Sequence, residues 1–266
     1  MMGEVLSRHR DIAYWMEPNY IWKYRSPQST SDLRTAEEAT PQVARYVRAR
    51  FARYMQQRGK SRFMEKTPSN CFRLPFMLEV FPDALFLNVI RDGRDATFSA
   101  VKKWAAPAIL GPMRRRITSG EIPLRDLPYY VRRWVRDFGR RLFPVNAYVW
   151  GPRFPGIEEL AAAEGPLVAC AAQWRESVEA VTRGLEGVPA EQQHTVRFEQ
   201  FIADPRSALL EISSFLGLPP DAEMLDFAGS FVRPDFVGRW RNKGSEDVRT
   251  VLTHAGEAMS KLGYEL

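Results

Sequence analysis

One stretch limits the folds open to this chain more than any other: Asp83 to Trp104, DALFLNVIRDGRDATFSAVKKW. Ala84 to Ile90 is a short, nearly continuous apolar run, the pattern of a strand buried on both faces of a parallel sheet. Arg91 ends the run, Asp92-Gly93 is a turn pair, and Arg94 to Trp104 reads as a helix with Ala96, Ser99, Ala100 and Lys103 along one stripe. A strand, tight turn and helix of this kind places ligands at the carboxyl end of a parallel sheet. There Arg91 stands at the mouth of a helix whose first amides are unpaired, which makes a site for an anion, and Ser99 can add a hydroxyl donor. A plainer arrangement fits the same residues, with Arg91 paired to Asp92 or Asp95 and Ser99 simply packed. This stretch alone does not choose between them.

A second strand comes just before it. Arg62 to Thr67 has the length and apolar content of a strand closed by Pro68, and a helix is expected from after Ser69-Asn70 through Val80. Strand, helix and strand within about 30 residues make a right-handed parallel βαβ unit. Lys66 then sits at the carboxyl end of one strand, on the same sheet edge as Arg91 at the end of the next. Two cations from separate strand ends would converge on one crevice. Further upstream, Gly3 to Arg10 is helix-like, and the aromatic run Tyr14, Trp15, Met16 leads into Glu17-Pro18, where Pro18 disfavours helix at Glu17. Glu17 is expected on a loop among Tyr14, Trp15, Tyr20 and Trp22, where partial desolvation would make it a better base. A surface salt bridge is the simpler alternative.

The chain has 266 residues, 45% hydrophobic and 26% charged, which suits a single α/β domain spanning residues 1–266. No apolar run approaches a membrane span and the N-terminus lacks signal-peptide character, so a cytoplasmic protein is expected. Cys71 and Cys170 have no CxxC spacing, and His9, His194 and His254 share no metal or triad spacing. Buried free thiols and no metal site follow. The net charge of +6, with a pI near 9.4, is mostly arginine and favours anionic partners. No nucleic-acid module pattern accompanies it, so nucleic acid is not expected.

Pro41 to Arg58 reads as a packing helix, with Val43, Tyr46 or Val47, Phe51, Tyr54 and Met55 at helical spacing, stopped by Gly59. Residues 105–157 are rich in proline and arginine. In them Leu127, Val131, Trp134, Phe138 and Leu142 form an amphipathic basic helix that could cover the site mouth, attract an acidic acceptor or make peripheral membrane contact, unless its arginines are only a solvated face. Pro166 to Leu185 is a further helix in which Trp174 reads as core, and His194 to Phe198 is a strand followed by the helix Pro205 to Leu216. Gly238 to Gly244, GRWRNKG, sets Arg239, Arg241 and Lys243 around Trp240 between glycines, a loop able to approach and grip a phosphate or a plain exposed basic loop. The tail from Val248 is helical.

Taken together and in order, GEVLSRH, EP after an aromatic run, EKTP, VIRDGRDATFS, VRFEQFIADP with FLGLP, GRWRNKG and LGYEL resemble the sulfotransferase superfamily, particularly its bacterial and tyrosylprotein-type members. The resemblance covers most of the chain. It implies a three-layer α/β/α fold with a central parallel sheet of the P-loop nucleotide-binding type. It also implies transfer of a sulfuryl group from 3′-phosphoadenosine 5′-phosphosulfate to a small-molecule, glycan or lipid-linked hydroxyl, with no metal. By the same resemblance Arg91 and Ser99 would bind the donor's 3′-phosphate, and Arg239, Arg241, Lys243 and Gly244 would close over the nucleotide. Lys66 would stabilise the sulfuryl group and the leaving oxygen, and Glu17 would take the acceptor proton. Residues 105–157 would lie on the acceptor side as an insertion or lid.

One part of the family pattern is missing. Members begin with a strand and a loop resembling PRSGTT that cradles the 5′-phosphosulfate. Here Met1-Met2 stand where the helix after that loop would begin. The expectation is therefore a sulfotransferase whose sheet lacks its first strand and the phosphosulfate loop, with the native gene extending upstream of Met1 and the activity of the chain as given left open. Two other classes compete: a degenerate, non-catalytic nucleotide- or anion-binding protein acting through a partner, and a P-loop kinase. The kinase is the weaker, since GxxxxGK[ST] is absent and nothing resembles a Mg²⁺-holding aspartate motif.

Overall fold

The computed structural model describes residues 1–26, 31–106 and 149–266. After a short first helix α1 (Met2–Leu6), strand β1 (Ile12–Met16) leads into α2 (Asn19–Trp22) and the long helix α3 (Pro41–Gln57). Strand β2 (Arg62–Lys66), α4 (Leu74–Val80), strand β3 (Phe86–Ile90) and α5 (Gly93–Trp104) follow. Beyond residue 148 come α6 (Ile157–Leu185), strand β4 (Gln193–Arg197), α7 (Phe198–Ala203), α8 (Pro205–Phe215), α9 (Ala222–Phe231) and α10 (Ser245–Lys261).

β1 runs parallel to β2, with Ile12 opposite Arg62 and Met16 opposite Lys66. β3 runs parallel to β4, with Phe86 opposite Gln193 and Ile90 opposite Arg197. Each pair is linked through helices, as parallel pairing requires. Among the described residues no ladder joins the two pairs. They nevertheless lie in one layer, because alternate strand positions feed the same helical layers. Ile12, Tyr14, Met64, Leu87 and Val196 pack in one cluster with residues of α1, α7, α8 and α9. On the opposite face Ala13, Trp15 and Phe63 meet α2, α3 and α4, while Phe86 packs with Leu74 and Leu78 of α4 and Leu185 of α6. The period-two alternation of the strands thus builds a three-layer α/β/α arrangement.

Several sequence expectations need correction. The segment from Ile12 to Met16, read as an aromatic run before a loop, is a strand whose Ile12, Ala13 and Trp15 are buried. β2 and β3 do not form a neighbouring βαβ pair, since each pairs with a different strand. β3 is not buried on both faces either: Val89 is 41% exposed, and among the described residues the strand pairs with β4 alone. α6 begins before Pro166 and bends at Gly165, whose φ of 85° no other residue type adopts as easily.

α3 matches its reading closely. The Thr40 side chain caps it by accepting from the Val43 N–H, Pro41 fills its first position, and Val43, Val47, Phe51 and Tyr54 are its buried stripe. Trp15 stacks on Tyr54 at 4.0 Å between centroids and Phe51 on Phe63 at 4.4 Å, which fastens α3 to the β1–β2 pair. Cys71 and Cys170 are free thiols. No helix among the described residues is long and apolar enough to cross a membrane. The amphipathic basic helix expected around 127–142 lies outside the described residues.

Candidate active site

Because Met16 pairs with Lys66, Glu17 and Lys66 leave the sheet side by side. Glu17 has a φ of 52°, one of two positive values outside glycine among the described residues. Such a conformation costs on the order of 1 kcal/mol and persists only where the surroundings impose it. Here the Glu17 N–H donates to the Lys66 carbonyl at 3.2 Å, and the Lys66 ammonium donates to Glu17 Oε1 at 3.4 Å. The pair is open to solvent, with side chains 39% and 56% exposed, so its attraction adds little to stability. The aromatic enclosure expected around Glu17 is not formed. β1 alternation and α2 send Trp15, Tyr20 and Trp22 into the cluster with α3 instead.

A buried polar network holds this corner. Glu65 accepts from Trp22 Nε1 at 3.0 Å, from the Thr67 hydroxyl at 2.8 Å and from the Asn70 amide. Burial raises the Glu65 pKa and these donors, Asn70 foremost, oppose the shift. Fully buried Arg73 donates to Asn19 Oδ1 at 2.9 Å and to the Ser69 carbonyl at 3.1 Å. Burial lowers its pKa, and Asp32 and Glu65 act to keep it charged. Lys23 pairs with Asp32 at 2.5 Å, and Asp32 also accepts from the Ser69 hydroxyl at 2.6 Å. The turn that carries Glu17 is thereby tied to the turn that follows Lys66.

The second half of the site surrounds α5. Asp92 caps the helix and binds the Arg94 guanidinium through both oxygens, while its own N–H donates to Glu199 at 2.8 Å. Arg94 in turn lies 3.9 Å from the centroid of the Trp240 ring. Asp95, buried one turn into the helix, accepts from the N–H groups of Gly238 and Trp240 at 2.7 and 2.9 Å. That carboxylate fastens the GRWRNKG loop to α5. Gly238 has a φ of 74°, and a Cβ there would collide with the Arg241 guanidinium.

Arg91 donates to the Phe236 carbonyl at 2.6 Å, lies 5.0 Å from the centroid of Phe198 and 3.8 Å from Asp95. Its Nε is buried with no partner among the described residues, and burial lowers its pKa with Asp95 opposing. The plain pairing of Arg91 with Asp95 and an anion-facing Arg91 are therefore compatible in one geometry. Ser99 is half-buried, and its hydroxyl has no partner among the described residues. Lys243 lies 5.4 Å from the centroid of Phe98, next to Ser99, and Arg241 sits 5.1 Å from that of Trp240. Neither has a carboxylate partner among the described residues. Arg239 pairs with Asp235 at 2.5 Å while its charge still acts on Arg91, and Gly244 caps the start of α10.

Lys103 relates the two halves. Burial lowers its pKa most, Lys66 and Arg91 push it the same way, and Glu17 opposes them. Groups from the ends of both strand pairs therefore act electrostatically on a single ammonium. Among the described residues no cluster of His, Cys, Asp and Glu could hold a metal ion.

The family model described as "Sulfotransferase family" matches residues 7–149, more than half of the chain. The chain belongs to the sulfotransferase family. Among solved structures, the sulfotransferase domain from the curacin biosynthetic pathway is similar over 99% of this chain and 93% of that one, with a TM-score of 0.56 and 13% identity. The sulfotransferase domain from the Synechococcus PCC 7002 olefin synthase is similar over 86% of this chain and 70% of that one, with a TM-score of 0.45 and 15% identity. No curated protein matches.

Within this sulfotransferase, the expected residues Arg91, Ser99, Arg241 and Lys243 gather at α5, Gly244 opens α10, and Glu17 and Lys66 gather at the β1–β2 edge. Sequence reasoning did not single out Asp95, Glu199, Arg73 or Lys103 as functional. The signal for Asp95 was its spacing, one turn below Arg91 on the helix face that meets the loop. For Lys103 it was the four-residue step from Ser99, on a stripe that was read as packing.

Proposed function

We propose that the chain moves a sulfuryl group from 3′-phosphoadenosine 5′-phosphosulfate to an acceptor hydroxyl. In this reading Glu17 takes the hydroxyl proton as the acceptor oxygen bonds to sulfur. The bond from sulfur to the bridging oxygen of the 5′-phosphate breaks, and the Lys66 ammonium stands beside the departing oxygen. Such in-line transfer asks the protein mainly to position groups and to stabilise dispersed negative charge. Among the described residues the Ser99 hydroxyl and the buried Nε of Arg91 have no partner and Arg241 and Lys243 no carboxylate, which suits a doubly charged 3′-phosphate. Cytoplasmic location, where the free thiols would stay reduced, goes with this reading.

The observation that carries it is the Glu17–Lys66 pair itself. A glutamate held at a left-handed φ, hydrogen-bonded through its own N–H to the lysine it faces, keeps an acid–base group and a cation at one point. The experiment is label transfer from ³⁵S-labelled donor to a panel of phenols, sugars and aliphatic alcohols. Transfer lost in Glu17→Gln and Lys66→Ala, with adenosine 3′,5′-bisphosphate still bound, is the expected result. Binding of the bisphosphate without transfer by the unaltered protein would instead mark a nucleotide-binding protein that is not an enzyme.

A further inference from the structure

The LGYEL segment has no part in the reading above, yet its tyrosine reaches the turn at Arg91. Past the end of α10 the N–H groups of Leu262, Gly263 and Tyr264 donate back to the Ala258, Ser260 and Met259 carbonyls at 3.2, 2.8 and 3.0 Å, which folds the segment against the helix. Arg197, the last residue of β4, donates to the Leu262 carbonyl and lies 4.8 Å from the centroid of the Tyr264 ring. The ring packs with Phe98 of α5 and Trp174 of α6. Its hydroxyl donates to Glu199 Oε2 at 3.1 Å. Burial first, and then the Glu199 charge, raise the Tyr264 pKa, so the phenol keeps the proton it donates.

Glu199 turns its other oxygen to the backbone, Oε1 accepting from the Asp92 N–H at 2.8 Å. The carbonyl of that same peptide unit, the Arg91 carbonyl, accepts from Trp174 Nε1 at 3.1 Å. Side chains from outside α5 thus hold both ends of the Arg91–Asp92 peptide, and its plane cannot rotate without breaking one of the two bonds. With Ile90 fixed by its rung on Arg197, that plane sets the direction in which the Arg91 side chain leaves β3. By charge alone, a carboxylate acting on Arg91 works against an arriving phosphate, so what the site gains from Glu199 is the backbone bond. We propose that Tyr264 and Glu199 are positioning residues for Arg91: the phenol orients the carboxylate, the carboxylate fixes the peptide, and the peptide aims the guanidinium at the donor's 3′-phosphate. This assignment rests on the sulfuryl-transfer reading above, which puts that phosphate at Arg91.

A double-mutant cycle on the full chain is the test, read by calorimetry with adenosine 3′,5′-bisphosphate. Tyr264→Phe removes one hydroxyl and no charge, and is expected to weaken binding by about 3- to 10-fold. Arg91→Met should weaken it by about tenfold or more. The two together should bind within about twofold of Arg91→Met alone, because the phenol acts through the guanidinium. A Tyr264→Phe loss of the same size in both backgrounds would make the phenol a packing residue and overturn the proposal. Unchanged or tighter binding by Tyr264→Phe would overturn it as well.

Two outcomes separate the assignment from the reading beneath it. Absence of binding by the unaltered protein would sink the sulfuryl-transfer reading and this assignment with it. An Arg91→Met that binds as well as the unaltered protein would take Arg91 out of the phosphate site and overturn the assignment alone. The carboxylate is tested by Glu199→Gln, which keeps an oxygen for the Asp92 N–H, against Glu199→Ala, which keeps none. Affinity should fall in the order unaltered, Gln, Ala, with faster hydrogen exchange at the Asp92 amide in the alanine variant. Tighter binding by Glu199→Ala, the result that charge alone predicts, would overturn the proposal. Tyr264→Phe and Glu199→Gln keep the shape of the side chains they replace, so their thermal midpoints should fall by no more than about 4 °C. A larger fall in both would mark the pair as core residues and overturn the positioning role.

Discussion

Replacing Asp95 with alanine separates a site that depends on the GRWRNKG loop from one that only borrows positive charge. The buried carboxylate accepts two backbone N–H groups, from Gly238 at 2.7 Å and Trp240 at 2.9 Å. Hydrogen bonds to an ionised acceptor are worth about 1.5–3 kcal/mol each, so the tether holds the loop by roughly 3–6 kcal/mol. Without it the docking equilibrium shifts by a factor of about 100 or more toward the undocked loop, and any ligand that needs Arg241 and Lys243 beside Ser99 binds up to about 100-fold more weakly. Asp95→Asn keeps one oxygen acceptor and the side-chain shape, and should lose about tenfold. The assay is calorimetry with adenosine 3′,5′-bisphosphate, paired with hydrogen exchange at the Gly238 and Trp240 amides. Electrostatics alone predicts the opposite sign, because removing a carboxylate 3.8 Å from Arg91 leaves the pocket more positive. Tighter binding by Asp95→Ala, or unchanged binding with fast-exchanging loop amides, would refute the loop's part in the site.

Arg73→Met should lower the unfolding free energy in urea by about 3–5 kcal/mol, since it strips the cation from between Asp32 and Glu65 and leaves Asn19 and Ser69 acceptors unpaired. A loss under about 1 kcal/mol would show that the network does not depend on that charge. For Asp221, burial alone would raise the pKa, but the Arg10 guanidinium and the N–H groups of Met224 and Arg10 hold it at about 2 against an ordinary 3.8. A depressed folded pKa gives stability that is present above pH 3.8 and lost as pH falls toward 2. Arg10 is solvent-exposed, so the gain is about 1–2 kcal/mol, and acid titration of Asp221→Asn should show a stability curve flatter by that amount. Burial pushes the Cys71 thiol up to about 12, so iodoacetamide at pH 8 should alkylate it quickly only after unfolding.

The parts of the fold legible in the sequence were those with a strong period or a strong stop. α3 carries its apolar stripe between Thr40 and Gly59, and β3 with α5 carries an apolar run broken by Arg91-Asp92-Gly93; both formed within a residue or two of their reading. β1 was missed because Tyr14, Trp15 and Met16 show no polar alternation. Trp15 is buried in one helical layer and Tyr14 packs into the other, so the strand reads as a plain aromatic cluster. The candidate site was half legible. Cations following strand ends announce themselves, whereas Asp95 and Arg73 act on backbone and side chains far along the chain, and only the fold reveals those partners.

The placement of the chemistry follows from register. Glu17 stands one residue past the Met16–Lys66 rung and Arg91 one residue past the Ile90–Arg197 rung. A slip of one residue in the β1–β2 ladder would turn Lys66 to the opposite face and separate it from Glu17. Five-residue strands paired two by two are weak guarantors of register, because an isolated two-stranded unit is marginal in water. Here the register is fixed from the side, by Trp22, Thr67 and Asn70 converging on Glu65 and by Arg73 joining Asn19 to Ser69. Buried polar groups cost free energy, and these are concentrated behind the strand junction where Glu17 faces Lys66. Glu65→Gln tests the point. Its amide would turn a donor toward Trp22, Thr67 or Asn70, and the Glu17–Lys66 contact should loosen before the core does. Chemical shifts of the Lys66 side chain that move while the unfolding midpoint holds would bear this out. A global loss of stability with an unmoved Lys66 would show that the network supports the core and not the register.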